Sequence, residues 1–364
     1  MFIKKNAHLR NIKRIRIPEN RDLENGLRLN RNEKVENWGS EIIRDIFKNQ
    51  PDWFLSTYPD SSSLYEKLSK HINVDESKIM LTSGMDSGIK TLFEIMTDPG
   101  DHIGVVGPTY AMYYVYSKLF QAKLTEIQYS PETLKLDWKQ LNDFIDTKPV
   151  MLFFPNPNQP VEDALTKNQI AEIAERTRKN GTLFVVDEAY YMFGCESAMD
   201  LIDEFENLVV LRTFSKGFGV PSIRLGFMVS SEDNMEVLSK TRFAHESNSF
   251  RNAVAEYLLD NYEIVEDYVQ KVIEGRTYVK EELAKLGIKS NGESANYLLV
   301  DLVNPEKRNK TAAFLEENLI YVKGNLGSPW DKYMLITIGP KELMKRFIDL
   351  MLEANKKFKL SEVQ

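Results

Sequence analysis

Short apolar runs alternate with amphipathic segments along most of the chain, and this alternation predicts strands separated by helices. We predict strands where the runs are rich in β-branched or aromatic residues and bounded by Gly, Pro or Asp, at residues 103–106, 151–154, 183–186, 208–211 and 227–229. Helical periodicity lies between them, at residues 88–96, after Pro108 and at residues 167–179. The order predicts an α/β fold with a mostly parallel central sheet flanked by helices.

The pattern changes at both ends of this region. Residues 1–35 form a polar stretch without periodicity, which predicts an irregular N-terminal arm. After residue 245 comes a long helical run at 252–286, followed by apparent strands at 297–300 and 334–338 and a closing helix at 341–357. We therefore predict an arm (1–35), a large domain (36–245) and a smaller α+β domain (246–364).

Composition narrows the possible functions. The chain has 364 residues, a net charge of −7 and no long basic run, which argues against nucleic acid as the main partner. No apolar stretch approaches the roughly 18 residues of a membrane span, so no membrane association is expected. The basic start is not followed by an apolar segment, and Cys195 is the only cysteine. These features predict a cytoplasmic protein without an intrachain disulfide.

Candidate chemistry lies where two predicted strands end. Asp187 closes one apolar run, with Tyr190 three residues later, and Lys216 follows the next run, with Arg224 eight residues on. Alone, Asp187 is typical of a turn cap and Lys216 of a solvated loop. Together, an acid, a phenol, a lysine and an arginine at neighbouring strand ends are the groups that a pyridoxal phosphate site requires.

In combination these motifs identify a family. The chain resembles the fold-type I pyridoxal-phosphate-dependent aminotransferases, and within them the histidinol-phosphate aminotransferase branch, from about residue 29 to residue 347. The resemblance implies pyridoxal 5′-phosphate as cofactor and a small-molecule amino donor and keto acceptor as substrates. It also implies a homodimer whose subunits share their active sites.

The resemblance also implies residue roles at the cofactor. Lys216 corresponds to the lysine that forms the aldimine and later carries the proton, and Asp187 to the partner of the pyridine nitrogen. Tyr190 corresponds to the phenol at the 3′-oxygen, and Tyr110 to the aromatic residue that stacks on the ring. The implied phosphate ligands are Ser215, Arg224 and the loop Gly84-Met85-Asp86, which opens a helix.

Three further positions follow from the same resemblance. Tyr58 corresponds to a tyrosine that reaches the phosphate of the other subunit, and the segment containing Asn30 and Arg31 to one that lies over the substrate. The amide that meets the cofactor's ring oxygen is expected in the loop after residue 155. Either Asn158 or Gln159 supplies it, because the family's motif is altered there.

The substrate-binding positions depart from the family. Leu335 stands where relatives carry an arginine for the substrate α-carboxylate, and Lys323 replaces a second arginine. Lysine is a point charge without the planar fork of arginine. Three explanations stay open: a substrate without an α-carboxylate, loss of that carboxylate by decarboxylation, or a shifted register in which Arg346 or another cation binds it. Lys323, Arg31 or Arg28 is then available for a distal phosphate or carboxylate.

The sequence thus predicts an aminotransferase acting on a small substrate that is phosphorylated or otherwise non-standard. A decarboxylase of an O-phospho-amino acid on the same fold is the main alternative, and a catalytically silent relative is the other. Silent relatives typically lose the lysine or the aspartate, and this chain keeps Lys216 and Asp187. Its four histidines show no metal-ligand spacing, so no metal site is expected.

Overall fold

The computed structural model describes residues 7–14 and 21–361. Its helices are α1 (Ser40–Phe47), α2 (Ser62–Ile72), α3 (Met85–Met96), α4 (Ala111–Leu119), α5 (Trp138–Asp146), α6 (Lys167–Asn180), α7 (Glu232–Leu238), α8 (Ser249–Asp260), α9 (Tyr262–Lys285), α10 (Pro305–Glu317) and α11 (Lys341–Phe358). Its strands are β1 (Leu27–Leu29), β2 (Ile79–Thr82), β3 (His102–Gly107), β4 (Lys123–Gln128), β5 (Met151–Pro155), β6 (Leu183–Asp187), β7 (Leu208–Thr213), β8 (Gly226–Val229), β9 (Ser290–Asn291), β10 (Tyr297–Asp301), β11 (Ile320–Val322) and β12 (Tyr333–Thr337).

A seven-stranded sheet organises the large unit, in the order β2-β8-β7-β6-β5-β3-β4. Neighbours from β7 to β4 run parallel, and only β8 runs antiparallel to its partners β2 and β7. The five predicted strands all lie in this sheet, and the predicted α/β class is confirmed. Strands β2 and β4 were not predicted.

Apolar side chains fill both faces of this sheet, because the central strands are buried along their whole length. One face packs with Phe154, Val186 and Val210, and the other with Val105, Phe153 and Val185. Helices cover both faces. The sheet is therefore a rigid platform, and its side chains become available for chemistry only where the strands end.

The small unit is built on the sheet β12-β10-β9, with α9, α10 and α11 around its own apolar core. The predicted strands at 297–300 and 334–338 correspond to β10 and β12. The arm predicted as irregular is partly ordered, because it contains a short 3-10 helix at Ala7–Asn11 and the strand β1. Strand β1 pairs parallel to β11, which ties the arm to the small unit.

The helical run predicted over residues 252–286 is two helices, so that prediction was wrong in one respect. The chain leaves the helical conformation at Asn261, where φ is −124° and ψ is 51°, and α8 ends there while α9 begins at Tyr262. Helix α8 packs on α2, and its residues Val254 and Leu258 belong to the core of the large unit. Periodicity alone cannot reveal such a break, because both segments are amphipathic.

Two general findings concern the described part of the chain. None of its helices combines the length and the apolar character that crossing a membrane requires. Nor do the described residues gather three or more His, Cys, Asp or Glu side chains in a geometry that would hold a metal ion.

Candidate active site

A cavity of about 850 Å³ lies at the carboxyl ends of the large sheet, between the two units and the arm. Parallel strands bring their carboxyl ends to one edge, so residues distant in sequence converge there. Most of the residues proposed for the site line this cavity: Asn30, Arg31, Met85, Asp86, Tyr110, Gln159, Asp187, Tyr190, Ser215, Lys216, Arg224 and Lys323. Gly84, Asn158 and Tyr58 do not line it.

Lys216 follows β7 and reaches into the cavity with a half-buried side chain. Its Nζ donates hydrogen bonds to the backbone carbonyls of Arg31 (3.1 Å) and Asn32 (3.0 Å). Burial lowers the pKa of Lys216 to about 8, since the charged amine loses water. The Glu33 carboxylate opposes this shift of the pKa, and the positive charge of Arg224 adds to it. The fraction of neutral, nucleophilic amine near neutral pH is therefore much larger than for an ordinary lysine.

Asp187 is the last residue of β6, and only 4% of it is exposed. Its Oδ2 accepts a hydrogen bond from the Tyr113 hydroxyl at 2.7 Å, and its Oδ1 accepts one from the Ala189 N–H at 3.0 Å. Burial raises the pKa of Asp187 to about 6, although the bond from Tyr113 opposes the shift. A carboxylate in this setting is suited to pair with a cationic N–H.

Tyr113 is a residue whose role the sequence reasoning missed, because an aromatic residue inside a helix is most often part of the core. It is fully buried in α4 and is held against Asp187. A donated hydrogen bond stabilises the ionised carboxylate relative to the neutral one, so Tyr113 acts on Asp187 as a positioning residue.

Replacing Tyr113 by Phe is expected to raise the pKa of Asp187 further, by about one unit, since one hydrogen bond to a charged group is lost. Asp187 is then protonated at higher pH. The affinity of the apoenzyme for pyridoxal phosphate is measured by fluorescence as the pH is lowered. In the wild type the affinity should fall as the pH drops through about 6, and in the variant it should fall already at a higher pH. Tyr114→Phe is the matched control, because Tyr114 lies in the same helix and donates to a different carboxylate, Glu126. A profile unchanged in Tyr113→Phe would contradict this role.

Asn32 lies on the arm and is hydrogen-bonded to residues of both the large unit and the small unit. The sequence reasoning did not single it out. Its Nδ2 donates to the Tyr190 hydroxyl at 2.9 Å, and its backbone N–H donates to Thr337 Oγ1 at 2.8 Å. Its carbonyl accepts from Lys216. Its φ of 54° lies in the left-handed region, which asparagine tolerates better than most residues. Asn32 directly follows Asn30 and Arg31, so the segment predicted to lie over the substrate was the available signal.

The phosphate end is formed by α3 and by Arg224. Gly84 precedes α3 with a φ of 72°, a conformation that residues with a Cβ rarely adopt, and a Cβ there would also lie 2.6 Å from Arg224 Nη2. Arg224 itself has a φ of 51°, and its Nη1 donates to Ser215 Oγ at 3.3 Å. Gly84 therefore serves the cavity by leaving room for the guanidinium. Free N–H groups at the start of α3 add a partial positive charge.

The loop after β5 contains both candidates for the amide that meets the cofactor's ring oxygen, Asn158 and Gln159, and the two side chains have different surroundings. Asn158 is buried and donates to the carbonyls of Pro108 (2.9 Å) and Val161 (3.0 Å), so its amide serves the loop. Gln159 lines the cavity, and its buried Nε2 has no hydrogen-bond partner among the described residues. Of the two, Gln159 is the side chain with a donor to offer a ligand.

Tyr58 lies outside the cavity of its own subunit. It is 80% exposed and stacks on His245, with ring centroids 4.2 Å apart. An exposed tyrosine beside an aromatic partner is available to another chain, which agrees with a role across a dimer interface without testing it.

The wall contributed by the small unit carries Lys323 and Leu335. Burial lowers the pKa of Lys323, because the charged amine loses part of its hydration there. Arg346 does not line the cavity, and its guanidinium donates to the backbone carbonyls of Asn25 and Asn318. The explanation in which Arg346 binds the substrate therefore has no support in the geometry.

Comparison with known proteins agrees with this architecture. A model of the family "Aminotransferase class I and II" matches residues 24–349. A histidinol-phosphate aminotransferase of Clostridium novyi is 30% identical over 313 residues, which cover 83% of each chain.

Solved structures share the fold at lower identity. A histidinol-phosphate aminotransferase from Sinorhizobium meliloti in complex with pyridoxal 5′-phosphate superposes with a TM-score of 0.86 at 17% identity, covering 98% of this chain and 99% of that one. L-threonine-O-3-phosphate decarboxylase from Porphyromonas gingivalis does so with a TM-score of 0.75 at 18% identity, over 92% and 99%. Because the family model matches residues 24–349, which is most of the chain, the chain belongs to the class I and II aminotransferases, enzymes that depend on pyridoxal 5′-phosphate.

Proposed function

We propose that this protein is an aminotransferase whose pyridoxal phosphate is attached to Lys216 and whose substrate is a small phosphorylated or otherwise non-standard amine. One observation carries the proposal. Lys216 and Asp187 line the same cavity, the pKa of the amine is lowered to about 8, and that of the carboxyl is raised to about 6. Two groups tuned in opposite directions within one cavity are typical of an active site.

The residues present fit the cofactor. Thr109 Oγ1 and Gln159 Nε2 belong to residues that line the cavity, and both atoms are buried without a partner in the described part of the chain. Buried polar atoms without partners are costly, and a ligand that pairs with them repays that cost. Ser215, Arg224 and the start of α3 offer donors for a phosphate, while Tyr110 offers an aromatic face.

When bound, pyridoxal phosphate supplies an electron sink for the carbon that carries the amino group. Asp187 would hold the ring N–H and keep that nitrogen protonated, and Tyr190, oriented by Asn32, would meet the neighbouring ring oxygen. Lys216 Nζ would take the proton from the reacting carbon and return it elsewhere as a general base and acid. Asn30 and Arg31 of the arm and Lys323 of the small unit would bind the substrate.

A decarboxylase of an O-phospho-amino acid is the second candidate. One observation favours it: Leu335, an apolar residue, lines the cavity beside Lys323, and this pair offers no arginine for a substrate carboxylate. A carboxylate left unpaired is more readily lost. The P. gingivalis decarboxylase shows that the same fold accommodates that chemistry. The silent alternative is disfavoured, because Lys216 and Asp187 both face the cavity.

A single-turnover assay separates these functions. The holoenzyme is mixed with L-glutamate, L-histidinol phosphate or O-phospho-L-threonine, and the absorbance of the cofactor and the release of carbon dioxide are followed. Transamination converts the cofactor to its amine form without gas release, which is the expected result with at least one donor. Gas release with the cofactor regenerated would overturn transamination in favour of decarboxylation.

We further propose that the protein acts as a homodimer with shared active sites. Six large apolar residues on α1, on the loop that follows it and on the segment that leads into α8 are exposed, namely Ile43, Trp53, Leu55, Tyr58, Phe243 and Phe250. Phe54 and Phe250 are in edge contact at 5.2 Å, which links the two segments into one patch. Such a patch on a chain of this size is typical of a protein interface. The cytoplasmic location predicted from the single cysteine stays a prediction.

Hybrid dimers test the sharing directly. Lys216→Ala and Tyr58→Ala subunits, each nearly inactive alone, should regain activity when they are unfolded, mixed and refolded together. About half of the refolded dimers contain one subunit of each kind. In each of these mixed dimers one of the two sites has an intact Lys216 and the partner's intact Tyr58, so about a quarter of wild-type activity is expected. A mixture no more active than its components would contradict shared sites. Lys216→Ala mixed with Lys216→Arg is the control.

A further inference from the structure

We propose that Lys34 is a positioning residue, which holds the arm over Lys216 by means of its ammonium group. Lys34 does not line the cavity, and its amine lies in a cage formed by Trp38, Tyr268 and Glu36. The effect of the cage on catalysis rests on the proposed function, because it matters only if the cavity is the active site. The holding of the arm does not depend on that function.

The cage surrounds the end of a buried side chain. Lys34 is only 6% exposed, and its Nζ lies 3.8 Å from the centroid of the Tyr268 ring and 4.3 Å from that of the Trp38 ring. The Glu36 carboxylate forms an ion pair with the same amine. Burial lowers the pKa of the Lys34 amine, and Glu36 opposes this shift. Because a cation is attracted to the faces of aromatic rings, and more strongly where water is excluded, the charge of Lys34 contributes an attraction that a neutral side chain lacks.

The cage connects the arm to both units. Lys34 lies on the arm, Trp38 follows it closely, and Tyr268 lies on α9 of the small unit. On the side of the large unit, Trp38 Nε1 donates to the Gly219 carbonyl at 2.9 Å. The Gly219 N–H in turn donates to the Lys216 carbonyl at 3.0 Å. The cage therefore holds both the arm and the turn that begins at Lys216.

The arm residues just before Lys34 make the contacts that matter at the cavity. The carbonyls of Arg31 and Asn32 accept hydrogen bonds from Lys216 Nζ, and Asn32 Nδ2 donates to the Tyr190 hydroxyl. Asn32 and Lys34 are two positions apart, so at most about 7 Å of backbone joins them. A displacement of Lys34 therefore moves the groups that orient the amine and the phenol.

A positioning role and a purely structural role have different consequences. If the cage only stabilised the fold, loss of the charge would lower the midpoint of thermal unfolding and leave the rate of the folded enzyme unchanged. If the cage positions the arm, the rate falls even far below that midpoint, because catalytic geometry tolerates little misplacement. Rates are therefore compared at a temperature at which every variant is folded.

Hydrogen exchange in the holoenzyme measures the holding of the arm directly. Lys34→Gln removes the charge, and the backbone amides of residues 27–38 should then exchange about 5- to 30-fold faster, the range for loss of a desolvated cation–π contact. Lys34→Arg keeps a cation for the rings, so its exchange should stay within about threefold of the wild type. Lys271→Gln is the matched control that should exchange as the wild type does, because Lys271 lies on α9 near the cage and is paired with Asp267. Unchanged exchange in Lys34→Gln would overturn the inference.

Single-turnover kinetics show whether the held arm acts on the reaction. The donor is whichever of L-glutamate, L-histidinol phosphate and O-phospho-L-threonine converts the cofactor of the wild type fastest. Lys34→Gln should lower that rate about tenfold at saturating donor, and Lys34→Arg should restore it to within about twofold. An unchanged rate in folded Lys34→Gln, or a loss that Lys34→Arg fails to restore, would overturn the positioning role.

Coupling to Asn32 tests the route by which Lys34 acts. Asn32→Gly removes the amide that reaches Tyr190 and keeps the left-handed backbone, which glycine adopts freely. In this background Lys34→Gln should lower the rate by no more than about threefold, because a group that the cage helps to position is already absent. An undiminished tenfold loss would show that Asn32 is not on the route.

Trp38→Leu is the second variant, for the case that Lys34→Gln fails to fold. It removes one ring of the cage and the donor to Gly219, so the arm should exchange faster and the rate should fall in the same way. Wild-type exchange and rate in folded Trp38→Leu would overturn the inference. Failure of the inference is distinguishable from failure of the proposed function. Unchanged arm exchange refutes only the inference, whereas a protein that transaminates none of the donors refutes the proposed function and leaves arm exchange to decide whether the cage holds the arm.

Discussion

Replacement of Lys216 by alanine is expected to lower kcat by about 10⁴-fold, at the upper end of the range for a positioned proton-transfer group. The loss is large because one nitrogen would serve twice, as the covalent attachment point of the cofactor and as the proton carrier. Its burial lowers the pKa of the amine to about 8, which raises the fraction of neutral, nucleophilic amine near neutral pH. Steady-state kinetics with saturating pyridoxal phosphate would measure the effect.

The control for this substitution is Lys139→Ala, on the exposed face of α5, where Lys139 is paired with Asp143. It should leave kcat within twofold of the wild type, because isolated surface ion pairs contribute little. Added primary amines such as methylamine should restore part of the lost activity of Lys216→Ala, because they can carry the proton. A Lys216→Ala protein with near wild-type kcat would refute the assignment.

Replacement of Asp187 by asparagine is expected to lower kcat by about 10²- to 10³-fold, as for the loss of one preorganised electrostatic partner. Asparagine keeps the shape of the side chain and removes its charge, so the ring nitrogen loses its anionic partner. Lys216 is untouched, so the cofactor should still attach. The expected signature is therefore a protein that binds pyridoxal phosphate and shows its absorbance but turns over slowly.

The substitution Asp187→Asn separates two roles for this residue. If Asp187 were only a cap of the turn after β6, asparagine would substitute well, since both residues cap turns. Asp143→Asn is the matched control on the surface. Wild-type kcat in Asp187→Asn would show that the carboxylate has a structural role alone.

The main sheet and the centre of the site could be predicted from the sequence because local pattern and global fold agree there. The buried central strands appear as apolar runs, and each ends where the chain turns toward the cavity, so Asp187 and Lys216 were recognisable by their position after a run. Strand β4 was missed since it lies at the edge of the sheet and is only partly buried.

The parts that could not be predicted depend on contacts between distant segments. Asn32 reaches Tyr190 and Thr337 from the arm, and Tyr113 reaches Asp187 across 74 positions of sequence. No local pattern encodes such pairs. The choice between Asn158 and Gln159 likewise depended on which amide the loop itself uses, which only the folded backbone decides.

The most direct test of the account is to find where the cofactor is attached. The holoenzyme is reduced with sodium borohydride, which makes the linkage between a lysine and pyridoxal phosphate permanent, and is then digested and analysed by mass spectrometry. The expected result is one modified peptide, with the pyridoxyl group on Lys216. Modification of another lysine, or none at all under conditions where the cofactor is bound, would contradict it.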